Sequence, residues 1–294
     1  MNNLQTQINT YLEHCQDQKR LDTKTIKAYR IDLKQFHNHF SKLKIADITP
    51  DMLEEYISGL HQQYKPKTVK RKIASIKALF HYLEYKESIS TNPFNKIQIK
   101  FRESIILPKT IPLHTLEALL STIYQQRACA KTDYQKKKAL QDIAVIELLF
   151  ATGIRISELC ALRDNDVDLY DGTILIYGKG SKERIVQIGN NDVLRVLTEY
   201  HNNYLPQIQD SNQFFTTQNG AALSDQAVRR MIKKYTSLAS IDQHITPHMF
   251  RHTFATSLLE ADVDIRYIHE IPSISKCKMR RELPLSSLSQ CYFF

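Results

Sequence analysis

The chain has no tryptophan, only seven glycines and five cysteines, and no C-x-x-C pair in 294 residues. The first two shortages exclude Trp-Asp propellers and collagen-like arrays, and no internal repeat is visible. Cys15, Cys129, Cys160, Cys277 and Cys291 are odd in number and widely spaced, which argues against a disulfide framework or zinc ribbon and points to a reducing cytoplasm. No apolar run approaches the ~18 residues of a membrane span. The opening Met1-Asn2-Asn3-Leu4-Gln5 lacks the basic-then-apolar order of a signal peptide. A membrane partner is therefore not expected.

What is present is the composition of a soluble globular protein, 42% hydrophobic and 24% charged. The length suits two ordinary domains better than one. Forty Lys and Arg against thirty-one Asp and Glu give a formal charge of +9. Residues 1–110 hold 19 basic and 11 acidic side chains, so +8 of the excess sits there and the rest of the chain is nearly neutral. This distribution implies one electropositive module joined to a neutral one.

Four helical patterns fill the first ninety residues. Leu4, Ile8, Tyr11 and Leu12 recur at helix spacing, as do Ile26, Leu33, Phe36 and Phe40 after the candidate caps Asp22 and Thr23. Thr49-Pro50-Asp51 is a helix start, a hydroxyl cap followed by proline, and opens the stripe Leu53, Tyr56, Ile57 and Leu60. The fourth begins after Lys65-Pro66 and carries Val69, Ile73, Ile76, Phe80 and Leu83 on its apolar side. Between Gln62 and Tyr82 that helix also holds Lys65, Lys67, Lys70, Arg71, Lys72 and Lys77 with no acidic residue. Solvated helices usually mix signs. Six uncompensated cations repel one another and make most sense against a polyanion. A merely basic surface helix is the plain alternative. An acidic membrane is weaker still, since the apolar stripe is needed for the core.

Asn92-Pro93 and Leu107-Pro108 break the pattern, and residues 87–108 are expected to link a first domain, 1–86, to a second, 109–294. Helical patterns resume at 115–126 and 139–151, the latter closed by Gly153. The period then changes to that of strands around 167–169, 174–176 and 184–188, separated by turns at Asp171-Gly172 and Gly178-Lys179-Gly180-Ser181. Helices return at about 191–204, 224–239 and 248–260. The expected fold is mainly α: a four-helix first domain and a mostly helical second one with a small three-strand antiparallel sheet.

Three features of the second domain carry chemistry. Arg155 follows the helix-ending Gly153, with Ser157 placed to cap the next helix. Lys179 sits at a hairpin tip between Gly178 and Gly180, which let the backbone turn tightly. His248 and Arg251 lie three apart at a helix start, so both can reach one ligand. Each alone reads as an ordinary surface residue. Two rival motifs fail. His248 and His252 have zinc-protease spacing, but Met249 stands where the general base belongs. Gly178-Lys179 lacks both the earlier glycine and the following hydroxyl of a phosphate loop. Taken together, Arg155, Lys179, His248 and Arg251 suit a phosphodiester. Two guanidiniums can fork its non-bridging oxygens in a five-coordinate transition state. A mobile lysine can protonate the departing 5′ oxygen, and a histidine can move the nucleophile's proton. Such a site needs no metal and no cofactor.

Through A-T-G-I-R-I-S-E-L at 151–159, G-K-G-S-K-E-R at 178–184 and H-M-F-R-H-T-F-A-T at 248–256, the chain resembles the tyrosine recombinase (phage integrase) family, most closely its Xer-like members, over residues 4–271. The resemblance extends to the first domain through Thr25-Ile26-Lys27-Ala28-Tyr29-Arg30, which looks like the family's core-binding, SAM-like module. It implies that Arg155 and Arg251 clamp the scissile phosphate of double-stranded DNA, that Lys179 is the general acid and that His248 assists proton transfer. It further implies a tyrosine nucleophile forming a 3′-phosphotyrosyl link, and a homo- or hetero-tetramer on DNA.

The resemblance breaks after Ile271. Counting from Arg251, the family's next histidine belongs near position 274 and its tyrosine near 283, where this chain has Ile274 and Leu283. Residues 272–294 are atypical, and Tyr292 is the one tyrosine among them. Two functions follow from this: a working site-specific recombinase, with Tyr292 or a partner's tyrosine attacking, or a recombinase-derived DNA-binding protein that cannot cut.

Overall fold

A computed structural model describes residues 4–99, 101, 109–178 and 183–260, and the chain divides into two compact units, Met1–Ile105 and Ile106–Phe294. In the first, α1 (Leu4–Asp17), α2 (Thr23–His39), α3 (Pro50–Gln63) and α4 (Pro66–Tyr85) follow one another as the periodicity predicts. Local chemistry sets their starts. The Asp22 carboxylate accepts from the Lys24 N–H, the Thr49 hydroxyl accepts from the Met52 N–H, and Pro50 and Pro66 open α3 and α4. Leu33, Phe36, Leu53, Val69, Leu79 and Phe80 are fully enclosed where the helices meet. Phe36 packs edge-on against both Tyr56 and Phe80.

Part of the stretch expected to be a linker packs into this unit. Ile89 and Phe94 are buried in its core, with Ile97, Ile99 and Phe101 against it. The Asn92 carboxamide caps a short 3-10 turn, Pro93–Lys96, while the Glu84 carboxylate accepts from the Asn92 N–H. Asn-Pro is here a cap rather than a boundary, because the apolar residues around it have a core to enter.

The second unit is built around α6 (Asp133–Thr152), preceded by α5 (Leu113–Ala128). A reciprocal cap between Thr132 and Gln135 starts α6 more than a turn earlier than its apolar pattern suggests. Buried residues on nearly every side of α6 mark it as the centre of the unit. A short α7 (Ile156–Leu159) leads to β1 (Val167–Asp168), β2 (Thr173–Tyr177) and β3 (Glu183–Gln187). These form an antiparallel meander with Val167 opposite Ile174 and Leu175 opposite Ile185. The helices α8 (Asn191–Ser211), α9 (Asp225–Leu238) and α10 (Pro247–Glu260) complete the unit.

α8 runs seven residues past its expected end near 204, straight through Pro206. The buried stripe Val193, Leu197, Tyr200, Tyr204 and Ile208 continues beyond the proline, and this packing outweighs one missing N–H. Asn212, left-handed at φ 54°, ends the helix instead. The architecture is the mainly α one expected, with its three-strand sheet. No helix among the described residues is long and apolar enough to cross a membrane.

Candidate active site

Gly153 organises the centre of the second unit. It closes α6 in the left-handed region at φ 55°, and a Cβ there would lie 2.5 Å from the Phe254 ring of α10. Only glycine both turns the chain and admits that close approach. Its carbonyl oxygen then accepts a 2.6 Å hydrogen bond from Arg251 Nη1. Arg251 is 2% exposed, so the end of α6 holds a buried guanidinium supplied by α10.

Two residues on, Arg155 stands at the N-terminus of α7. The Glu158 carboxylate reaches back one turn and accepts from the Arg155 backbone N–H at 2.8 Å and from its Nη1 at 2.6 Å. Ser157 was the expected cap, but it lies inside α7, and the longer Glu158 side chain takes that role. Arg184 of β3 grips the same carboxylate with two bonds, at 3.1 and 2.7 Å. One glutamate therefore holds two guanidiniums and ties the β2–β3 hairpin to α7. Burial alone would push the Glu158 carboxyl up. The hydrogen bonds from Arg184 and from Arg155 overcome it and hold the group below the usual carboxylate range.

The electrostatics join these groups to α10. Burial, with the charge of Arg155 next in size, pushes Arg251 down to about 10, and Glu158 partly offsets this. Arg251 still carries its proton at neutral pH. His248, one turn before Arg251, is pushed below the ordinary imidazole range by burial and by the fields of Arg229, Arg251 and Arg155. His252 moves the same way, through burial and the neighbouring His248 and Arg251. His248 is therefore neutral at physiological pH and able to accept a proton.

Arg155, His248 and Arg251 thus fall in one cluster. Lys179 lies outside the described residues, as do Ile274, Leu283 and Tyr292. Sequence reasoning passed over Glu158 and Arg184, although both stand inside the quoted motifs. The i, i+3 spacing of Arg155 and Glu158 was the available signal. It read Gly153 only as a helix end.

On α4, Lys65, Lys67, Lys70 and Lys77 are exposed. Lys72 is not, and here the expectation of six uncompensated cations is corrected. Its Nζ is 3.2 Å from Asp32 Oδ1, hydrogen-bonded to Gln35 Oε1 and 4.7 Å above the Tyr64 ring. Arg71 bonds to the other oxygen of Asp32. The compensating acid belongs to α2, forty residues before Lys72, where no local pattern reveals it. Lys72 is thus held in the core and is not available to a polyanion.

The family described as phage integrase, N-terminal SAM-like domain, matches residues 8–87, and the phage integrase family matches residues 115–278. A tyrosine recombinase of Agathobacter rectalis is 67% identical over 271 residues, covering 92% of this chain and 89% of the relative. Tyrosine recombinase XerC of Thermodesulfovibrio yellowstonii is 31% identical over 309 residues, covering 99% and 96%. A lambda integrase dimer bound to a COC' core site shares the fold, with a TM-score of 0.72 over 97% of this chain and 80% of that one, at 15% identity. A domain match over more than half the chain and a 67%-identical relative spanning most of it place the molecule in the phage integrase family, the tyrosine recombinases, among its Xer-like members.

Proposed function

We propose that the chain is a site-specific recombinase that cuts and rejoins double-stranded DNA through a phosphotyrosyl intermediate, acting as a homo- or hetero-tetramer on DNA in the cytoplasm. The observation that carries this reading is the pairing of Arg155 and Arg251 across Gly153: one guanidinium is oriented by Glu158, the other is enclosed and bonded to the glycine carbonyl. Two guanidiniums held close together can both donate to the non-bridging oxygens of a phosphodiester, whose five-coordinate state carries the most charge.

In the reaction, a tyrosine hydroxyl attacks phosphorus, its proton passing toward neutral His248. Arg155 and Arg251 stabilise the charge that builds on the non-bridging oxygens. Lys179, which lies between β2 and β3 in sequence, donates a proton to the departing 5′ oxygen, and reversal of these steps rejoins the strand. The nucleophile is Tyr292 or the tyrosine of a partner protomer. The first unit contributes grip through the exposed lysines of α4, as expected for backbone phosphates. The solved neighbour of this fold also holds DNA, a core site.

A covalent trap tests the proposal. Duplexes enriched by the protein from random-sequence DNA, nicked so that the cut end diffuses away, are incubated with the full chain and resolved under denaturing conditions. A protein–DNA adduct is expected, and its loss in Tyr292→Phe assigns the nucleophile to this chain. Persistence in that variant places the attacking residue elsewhere. No adduct where a gel shift shows binding would mean that the chain holds DNA without cutting it.

A further inference from the structure

Asp32 is enclosed, with 0% of its side chain exposed, yet it serves two cations of very different exposure. Lys72, 4% exposed, forms with it a pair that stays inside the unit. Arg71 keeps 43% of its side chain exposed while Nη1 bonds to Asp32 Oδ2, an oxygen that the Ser75 hydroxyl also approaches at 3.5 Å. Asp32 is enclosed between α2 and α4, so Arg71 is tethered through Nη1 to a buried carboxylate while much of its side chain remains exposed. Arg71 lies four positions after Lys67, and Lys70, Ala74 and Lys77 lie on the same exposed face.

These neighbours suit different tasks. A lysine is a point charge on a flexible stem and serves a phosphate well. A planar guanidinium locked in one orientation matches two acceptors on a base edge, above all guanine O6 and N7 in the major groove. Pairing an arginine with a carboxylate weakens its pull on phosphate but preserves its direction. Direction is what base reading requires.

We propose that Arg71 reads a guanine of the target half-site by a two-pronged hydrogen bond, and that Asp32 is the positioning residue that sets its plane. The inference rests on the reading of α4 as a DNA-contacting helix. It assigns that helix sequence specificity in addition to grip.

Selection from a random-sequence duplex library, followed by affinities for the enriched site with each base pair varied, tests it. The wild type is expected to enrich a motif with a required G·C pair. Arg71→Lys keeps the charge and the Asp32–Lys72 pair, so its salt dependence stays as in the wild type. Its discrimination at that pair should fall by about 5- to 150-fold, the value of one bidentate base contact. Asp32→Asn should lose preference at the same position, whereas Lys67→Gln should weaken binding to every sequence alike. Where Asp32→Asn fails to fold, Arg71→Lys and Arg71→Gln decide. An unchanged preference profile in Arg71→Lys, or a loss spread evenly over all positions, overturns the assignment. Wild-type binding without any preference also overturns it and leaves the grip standing. No wild-type binding at low salt removes the underlying reading of α4 itself.

Discussion

Each unit encloses one carboxylate between two cations: Asp32 between Arg71 and Lys72 in the first, Glu158 between Arg155 and Arg184 in the second. The two arrangements differ in what remains outside. Lys72 is 4% exposed and cancels Asp32 within the core, so a single cation, Arg71, reaches the surface. Arg155 and Arg184 are 28% and 19% exposed, and the nearby Arg251, 2% exposed, bonds to the Gly153 carbonyl. The first unit thus offers one oriented cation beside flexible lysines. The second holds Arg155 and Arg184 on Glu158, with Arg251 close enough to feel the fields of all three. Under the proposed function the second cluster is the reaction centre and the first a contact surface.

Removing each carboxylate is the severest test of that contrast. Asp32→Ala leaves Lys72 charged and shut away from water, so the chain should lose about 3–5 kcal/mol of stability. Glu158→Ala frees two arginines that already touch solvent, and about 1–3 kcal/mol is expected. Urea unfolding followed by circular dichroism measures both. Equal losses, or a larger one for Glu158→Ala, would show that exposure does not separate the two clusters.

The next largest effects are kinetic. Arg155→Ala and Arg251→Ala should each slow covalent adduct formation by about 10²–10³-fold, the usual loss when one donor to a developing oxyanion is removed. Affinity for the intact site should change far less, since most of the grip lies in the first unit. A matching loss of affinity and rate would instead make these arginines general DNA contacts.

Local pattern made most of this legible, and long-range pairing hid the rest. The four helices of the first unit, the meander and the start of α10 announce themselves through spacing, Thr49-Pro50 and Asp171-Gly172, all of which act within a turn. Arg155, His248 and Arg251 could be picked out because three motifs point to one phosphate. The fate of Lys72 could not, because its partner lies on another helix and a burial of this kind leaves no periodic trace. The last seven residues of α8 were missed for the same reason, since the stripe Val193, Leu197, Tyr200, Tyr204 and Ile208 shows itself only once it is seen to be buried on both sides of Pro206. Ser157 was expected as a cap on residue type, whereas Glu158, three residues after Arg155, binds its backbone and side chain together.

Charge on the first unit can be tested apart from orientation. Neutralising Lys65, Lys67, Lys70 and Lys77 to Gln should lower DNA affinity at every sequence. It should also flatten the plot of log affinity against log salt by about 0.9 for each lysine that contacts a phosphate. The base preference carried by Arg71 should survive. A slope equal to that of the wild type would remove α4 from the interface, and a lost preference would merge the two roles that Asp32 separates on the surface of this helix.

The smallest effect concerns His248. Burial disfavours its charged form, and Arg229, Arg251 and Arg155 add repulsion in that order, so the free protein should titrate below the ordinary 6.5 when its ring protons are followed by NMR. The folded state then binds fewer protons than the unfolded one. The contribution of His248 to stability is therefore complete above 6.5 and is lost as the pH falls through the folded midpoint. Arg229→Gln should move that midpoint upward without touching the Gly153–Arg251 bond. A phosphate entering between Arg155 and Arg251 should move it upward too, because a negative charge offsets the same repulsion. DNA binding by the second unit should accordingly take up protons in mildly acidic solution. A midpoint that ignores both Arg229→Gln and bound DNA would mean that burial alone sets it, and the surplus of arginines would then have no hold on the histidine.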